Sequence, residues 1–575
     1  MKNKKKIIPV LWLSALLLMP YLSMAQIVIG EGATVTVSGA ATIALSNAGF
    51  TNNGTYTKGT ETVTFSGSTA KSITGSAATS FNNVTISNSG GITDELSGTL
   101  TVNALTVSST GALTVNSGKT LTTTTFTIES DASGSGSVIV SGTLNGDITY
   151  NRYMTGSAWH LVSSPVAGQG VSGFISGSSI STNGGKSGVG TYTESNNTWS
   201  LYTDPYAGGD TFTAGKGYEV MRSADGTVAF AGTCGAAVSD FAISRSAEGT
   251  NKGWNLVGNP FTSFINCNTN AGATNFLSTN SAALDDSFEA LYYWNGSAYA
   301  TINQSSGATT FTPGQGFFVR SVVGGSNVDF TSGMQSHTTG TFKSAMQLPE
   351  IELIAETANK QATAIIRFIP GMTLGLDPGY DAGAFEQNPS FGISTRLVED
   401  NGINFAIQCL PDQEYQQLTI PVVLNAQAGS EVTFKIKGTN LTRLNVIYLE
   451  DKLTGRSIRL NDSGNSYSVT LEGSTAGTGR FFITNQLGSS DIVKEKLDPI
   501  KVISIPSQNI VRVLGRVTLP AQLMIYDMNG RVLSSVNLTD ETVNEVRFNQ
   551  VTSGIYLIQI RSGKDMIREK INWVR

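Results

Sequence analysis

The sequence predicts an almost all-β, multidomain chain, and three observations carry that prediction. Only 14% of the 575 residues are charged and 63 are glycine, a balance that, with abundant Thr, Ser, Val and Asn, favours strands and turns over helices. Apolar side chains recur at a fixed step of 21 residues through the first part of the chain, and two tryptophan-led segments recur about a hundred residues apart further on. At ~150 residues per domain the length corresponds to roughly four domains.

The chain opens with Lys2, Lys4, Lys5 and Lys6, followed by an apolar stretch from Ile7 to Leu22 and then Ser23-Met24-Ala25 before Gln26. A positive start, a short apolar run and a small-x-small site are the pattern of a signal peptide over 1–25, cut between Ala25 and Gln26. Pro20 and the small residues end the run too early for a stable membrane anchor, and no cysteine follows the cut to carry a lipid. No other stretch approaches the ~18 consecutive apolar residues of a transmembrane helix.

Residues 26–150 read as a right-handed parallel β-helix. Phe65, Ile86, Val107 and Ile128 are 21 residues apart, and Val63, Val84, Leu105 and Phe126 keep the same step. Leu100 with Leu121, and Ile92 with Leu113, repeat it elsewhere on the coil. Such a period with strand chemistry marks a solenoid in which each repeat stacks on its neighbours. Inward Val, Leu, Ile and Phe form apolar rows, and outward Thr and Ser form polar ladders. An antiparallel sandwich would need regular hairpin turns and would not require a constant step.

Two tandem β-rich modules follow, 151–245 and 246–340. Trp159-His160-Leu161-Val162 returns as Trp254-Asn255-Leu256-Val257, and Thr211-Phe212-Thr213-Ala214-Gly215 returns as Thr310-Phe311-Thr312-Pro313-Gly314. Between these anchors the stretch Tyr192 to Trp199 corresponds to Tyr292 to Tyr299. Residues 343–486 alternate as strands at Ala364–Phe368, Ile403–Ile407, Val432–Ile436, Val446–Leu449 and Arg480–Ile483, which predicts an antiparallel β-sandwich. A polar linker, 487–499, carries Lys494-Glu495-Lys496 as an exposed cut site.

The last domain, 500–575, is rich in hairpins. Tyr526-Asp527-Met528-Asn529-Gly530-Arg531-Val532 runs a strand into a turn, with Asn-Gly supplying positive φ. Ser553-Gly554-Ile555-Tyr556-Leu557-Ile558 makes another turn and strand, and the chain ends on Arg568-Glu569-Lys570-Ile571-Asn572-Trp573-Val574-Arg575. In this order the motifs resemble the C-terminal sorting domain of the type IX (Por) secretion system of Bacteroidetes. The resemblance implies an Ig-like β-sandwich, passage across the outer membrane and removal of the tail by a surface peptidase. It places the sorting signal on Tyr526, Asp527, Gly530, Arg531, Gly554, Tyr556, Lys570, Val574 and Arg575. Folding alone also accounts for Gly530 and Gly554 as turn positions and for Tyr556 as a packed ring. One departure is Ile503-Ser504-Ile505-Pro506-Ser507, where the family often has a YPNP stretch. The tandem modules and the segment Glu450-Asp451-Lys452-Leu453-Thr454-Gly455 likewise resemble units that precede the tail in exported Bacteroidetes proteins.

Little in the chain argues for chemistry. A net charge of −5 supplies no basic footprint for nucleic acid. Cys234, Cys267 and Cys409 are an odd set, allowing one disulfide, Cys234 with Cys267 the better pair, or none. The two histidines read as structural: His160 is Asn255 in the partner repeat, and His337 lies in a linker. Gly184-Gly185-Lys186-Ser187 fails as a phosphate loop because Ile180 stands where the first glycine belongs. In the solenoid Asp94 and Glu95 are adjacent and so point to opposite faces, while Glu61 and Glu129 lack partners at the 21-residue step. Asp377, Asp381 and Glu386 share one loop and are candidate calcium ligands, though a turn capped by Asp side chains is preferred. The cluster of Tyr192, Trp199, Tyr202, Tyr206, Tyr292, Tyr293, Trp294 and Tyr299 reads as exposed aromatics able to stack on sugar rings, or as two equivalent cores, the second being preferred. No catalytic, cofactor or metal residue is assigned. The expectation is an exported, non-catalytic, adhesin-like or structural protein, secreted or at the cell surface after Sec-dependent export and outer-membrane translocation. Its partners are the type IX machinery and its surface peptidase, with a surface glycan or a host or matrix ligand as candidate target. The alternative is a carbohydrate-binding or polysaccharide-degrading β-helix.

Overall fold

The structure is a computed structural model. It describes residues 11–12, 26–246, 252–337, 348–387, 389–412, 418–441, 446–462, 464–485, 501–505, 509–514, 517, 519–539, 543–548, 552–562 and 565–573. The chain is all-β, with 53% strand and 5% helix. It divides into two compact units, Met1–Lys452 with Ile458–Gln486, and Leu453–Ser457 with Leu487–Arg575.

The 21-residue step is a stacking register. A parallel coil closes on itself only if each turn returns an apolar residue to the same inward position. Leu105 lies between Val84 and Phe126, and Val107 between Ile86 and Ile128. Val63 sits beside Val84, and Phe65 beside Ile86. One wall of the solenoid is the parallel run Thr42–Ser46, Thr62–Gly67, Thr79–Asn88, Leu100–Val107, Thr120–Glu129 and Ile148–Met154. A second wall is Ile27–Ile29, Phe50–Asn52, Lys71–Thr74, Ile92–Asp94, Ala112–Val115 and Ser137–Val140. Short strands Thr34–Thr36 and Thr55–Thr57 make a third, to which Leu11–Trp12 adds in parallel. Inward rows are sealed: Phe65, Val107 and Ile128 are wholly buried. Adjacent turns approach so closely that a Cβ on Gly111 would lie 2.1 Å from the Ile86 carbonyl oxygen. At Gly75 the φ of +125° adds to a Cβ clash of 2.0 Å with the Asn52 carbonyl, so both the turn and the stack demand glycine.

The solenoid does not end freely at its C-terminal side. Ile148–Met154 pairs antiparallel with Gly226–Cys234, a strand from the end of the first module. On the second wall, Val138 exchanges hydrogen bonds with Thr262: its N–H donates to the Thr262 carbonyl at 2.8 Å, and its carbonyl accepts from Thr262 Oγ1 at 2.9 Å. One apolar core accordingly runs from the solenoid into Phe174, Tyr218, Val220 and Phe230 of the first module.

The duplication is visible in the pairing. Trp159–Val162 pairs with Tyr218–Met221, and Trp254–Gly258 pairs with Gly316–Arg320 in the equivalent way. Each module also closes on a strand preceding its tryptophan. Ile148–Met154 does this for the first, and Val238–Ile243, bonded to Ser326–Phe330, for the second. The strand opening the second module therefore lies before residue 246, and the strand opening the first doubles as the last solenoid rung. Neither strand has a marker of its own in the sequence beyond ordinary alternation.

Residues 348–485 form an eleven-stranded sheet around a core that includes Ile366, Phe434 and Phe481. It is antiparallel except that Gln361–Phe368 runs parallel to Phe405–Leu410, a crossover the local alternation does not encode. In the second unit, Lys501–Ile505, Ile510–Leu514 and Val543–Arg547 make one sheet. Ala521–Tyr526, Val532–Leu538, Gly554–Ser562 and Asp565–Trp573 make the other. Leu523, Ile525, Ile558, Ile560 and Trp573 fill the space between them.

Candidate functional site

The residues with a sequence-derived role cluster in the second unit, and their geometry is that of a folded signal. Asp527 begins the turn. Its Oδ1 accepts the N–H of Asn529 and of Arg531, each at 3.0 Å, and its Oδ2 accepts Arg531 Nε at 3.2 Å. These amides hold the Asp527 carboxyl below the usual carboxylate range. The Gly530 N–H donates to the Asp527 carbonyl at 3.0 Å, and only Gly530, at φ +80°, takes a positive φ in this turn. The expected pair of positive-φ residues at Asn529 and Gly530 is corrected: a three-residue loop followed by a bulge replaces the two-residue hairpin. The Asp527 side chain supplies the turn chemistry that the sequence alone suggests for Asn529.

Tyr526, next to the turn, is half-buried and bonds Met524. Gly554 opens the strand in which Tyr556 points inward, 7% exposed, with Oη donating to the Thr552 carbonyl at 2.8 Å. Its ring meets Phe548 edge-on at 5.3 Å, and Phe548 meets Trp573 at 5.4 Å. Lys570 is exposed opposite Leu557 on the last strand. Tyr526, Leu557 and Lys570 thus form one row across the sheet. Val574 and Arg575, like Ala25 of the signal-peptide cut and the 487–499 linker, lie outside the described residues. Gln26 is the first described residue of the solenoid and reaches Thr51 Oγ1 at 3.4 Å.

Elsewhere the candidate groups are spent on the fold. Glu61 is wholly buried and accepts the N–H of Gly59 at 2.7 Å and of Asn82 at 3.1 Å. Glu129 accepts both bonds of the Asn151 amide. Asn82 lies one 21-residue step beyond Glu61, so the expectation that Glu61 lacks a partner at that step is corrected. The partner is a backbone N–H, which side-chain periodicity does not show, while Asn151 lies 22 residues beyond Glu129. Asp94 is buried with one oxygen accepting the Leu96 N–H, and burial pushes its carboxyl up to about 6. Asp381 accepts the N–H of Cys409 and of Asp377, each at 2.7 Å, and Asp377 in turn accepts the Thr373 N–H at 2.7 Å. That is the Asp-capped turn preferred from the sequence. Among the described residues no three His, Cys, Asp or Glu come together in a metal-binding arrangement. Gly184 and Gly185, at φ +57° and +74°, form a hairpin turn before Lys186. His160 Nε2 lies 3.0 Å from the Thr155 carbonyl. His337 is corrected from a linker residue: it is lodged on the second solenoid wall, 2.8 Å from Thr114 Oγ1 and 2.7 Å from Ser137 Oγ. Burial lowers its pKa to about 4. Cys234, Cys267 and Cys409 are all free thiols, so the pair left open by the sequence does not form.

The aromatic cluster is neither a row of exposed rings nor two equivalent cores: four of its eight rings share one joint, Tyr293 packs in the second-module core, Tyr202 and Tyr206 pack against the first-module core, and Trp199 is exposed. Tyr192, Tyr292, Trp294 and Tyr299 converge with Trp254 and Phe318 on a joint that also takes Phe385 from the sheet domain. Phe385 stacks on Tyr299 at 4.0 Å and meets Trp254 at 4.6 Å. Tyr292 Oη donates to the Gly383 carbonyl at 2.8 Å. Glu194 ties the two modules together, accepting the Gly253 N–H at 2.8 Å. Trp199, 36% exposed, is the outermost ring, edge-on to Tyr192. Tyr293 packs on Phe311 in the second module, and Tyr202 and Tyr206 pair at 4.8 Å. Glu219 and Glu289, not singled out by sequence, are buried acids; burial pushes both carboxyls up to about 7.

Comparison with known families agrees with this division. The family described as Domain of unknown function (DUF8693) matches residues 54–484, from the solenoid to the end of the sheet domain. The family described as Secretion system C-terminal sorting domain matches residues 503–573. No curated protein matches the chain.

Proposed function

Because the chain belongs to the DUF8693 family and ends in a sorting domain of the type IX secretion system, a pathway of Bacteroidetes, we propose that it is an exported, non-catalytic scaffold of adhesin-like type. The sorting tail accounts for export and for engagement of the secretion machinery. The scaffold role rests on one observation: the solenoid, both modules and the sheet domain are joined through buried apolar and aromatic contacts. Most of the candidate acids cap backbone amides or pair with other side chains, where a hydrolase or lyase would aim them into a groove. The groove of about 580 Å³ on the sheet domain is lined by Glu356, which is ion-paired with Lys435, and by Glu431. The leader over 1–25 directs Sec-dependent export and is removed after Ala25, and a surface peptidase removes the tail.

The test is deletion of residues 503–573 followed by cell fractionation. The truncated chain is expected in the periplasm, and undiminished surface display overturns the sorting role. A glycan array probed with the processed protein examines the target. Turnover of any polysaccharide by that protein, lost on changing one acid, overturns the non-catalytic reading.

A further inference from the structure

We infer that the N-terminal rung of the solenoid is a pairing surface for the same rung of a second copy, joining two molecules head to head. The inference rests on removal of the leader after Ala25. A solenoid needs a cap at each end, because its terminal turn has no neighbour to cover its apolar row or to bond its outer strand edge. The C-terminal end has one, the strand Gly226–Cys234 on one wall and Thr262 on the other. At the N-terminal end, among the described residues, Ile27–Ile29 and Thr42–Ser46 are the outermost strands of their walls. Ile27, Ala33, Val35, Ala41 and Ile43 are only partly covered, whereas Phe50, Val63 and Phe65 one turn further in are wholly buried. The processed chain begins one residue before Ile27, so no N-terminal segment is left to cover this end.

Hydrogen-bond direction shows what the edge offers. The Ile27 N–H bonds Gly49 and the Ile29 carbonyl bonds Asn53, both inward. Val28, 61% exposed, therefore turns its own N–H and carbonyl outward. On the other wall the Ala41 carbonyl bonds Thr62 and the Asn47 N–H bonds Ser66, so by alternation Thr42, Ala44 and Ser46 present free groups. A proline, a lysine or a bulge normally protects such an edge. This one has none of them, and Glu31, in a turn, is the sole charged residue in 26–46. In the precursor the third edge already takes an added strand, Leu11–Trp12 on Thr34–Thr36.

An uncharged edge meets its own copy without repulsion, and a two-fold axis makes the strands antiparallel. Centred on Ala44, that pairing sets Ile43 opposite Leu45, so inward apolar residues meet inward apolar residues. Thr42 then faces Ser46 on the outside.

The experiment is analytical ultracentrifugation of the exported chain at micromolar concentration, with intact mass fixing its first residue. A dimer is expected. Val28→Pro and Ala44→Pro each delete an outward N–H that bonds nothing among the described residues; each should weaken dimerisation at least tenfold with an unchanged far-UV spectrum. A monomeric wild type beginning at Gln26, or a double variant that stays dimeric, overturns the pairing. Retention of the leader is a separate failure, of the export reading, seen in the mass; pairing is then measured on chain produced from Gln26 onward, where a dimer supports it and a monomer overturns it.

Discussion

Phe385→Ala is the sharpest perturbation of the scaffold, because this ring comes from the sheet domain and seats itself among rings of the second module. Phe385 is partly buried, stacked on Tyr299 at 4.0 Å and within 5.3 Å of Phe318. Full burial of a phenylalanine removes about 150–250 Å² from water, worth about 4–6 kcal/mol at ~25 cal/mol per Å². Partial burial leaves about 2 kcal/mol, and the ring stack adds about 1 kcal/mol beyond area. The expected loss is therefore about 3 kcal/mol, at the lower end for phenylalanine truncations. Differential scanning calorimetry of the whole chain reads it in two distinguishable ways. If the sheet domain melts alone, on its own core, the loss lowers its transition by about 9 °C, at about 3 °C per kcal/mol for a domain of this size. If the first unit melts as one body, its larger entropy reduces the shift to about 3 °C. A transition unmoved within about 1 °C would refute the claim that this joint carries load between the domains.

Glu219→Gln should separate burial from pairing through pH. Burial raises the Glu219 carboxyl from 4.5 to about 7, so its contribution to stability is full below pH 4.5 and falls as pH rises to about 7. The glutamine variant should match the wild type at pH 5 and exceed it by about 1–2 kcal/mol at pH 8.5 in urea unfolding; equal stability at both pH values contradicts the buried charge. Gly75→Ala should cost several kcal/mol, about 1 kcal/mol of it from positive φ and the rest from the Asn52 carbonyl. Gly118→Ala, at φ +76° with open space around it, should cost only about 1 kcal/mol by the same thermal melt. In the tail, Tyr556→Ala removes a packed ring and its bond to Thr552, a loss of about 3–5 kcal/mol. Pulse proteolysis should show this unit unfolding while the solenoid core stays protected, and surface display should fall with it.

What is legible before folding is whatever repeats or turns locally. The 21-residue step survives as a strand register in the central coils, where stacking returns each apolar row to the same inward position, while the outer coils step by 20 or 22 along the same wall. The duplicated tryptophan segments survive as duplicated pairings, and the Asp527 to Arg531 motif as one turn. Misreadings arise where a residue's partner lies far away in sequence. His337 reads as a linker residue because its contacts, Thr114 and Ser137, are some two hundred positions earlier. The rings Tyr192 and Tyr299 admit a sugar-binding reading because nothing near them announces Phe385.

By itself, then, the sequence determined the all-β class, the solenoid with its period, the tandem repeat and the exported tail, since each depends on local periodicity and turn chemistry. Only the tertiary structure decided that Gly226–Cys234 closes the solenoid, that the aromatic residues make a joint, and that Glu61 and Asp381 hold backbone amides. Burial and hydrogen-bond partnership are properties of segments brought together from distant parts of the chain, and no local pattern records which segments meet.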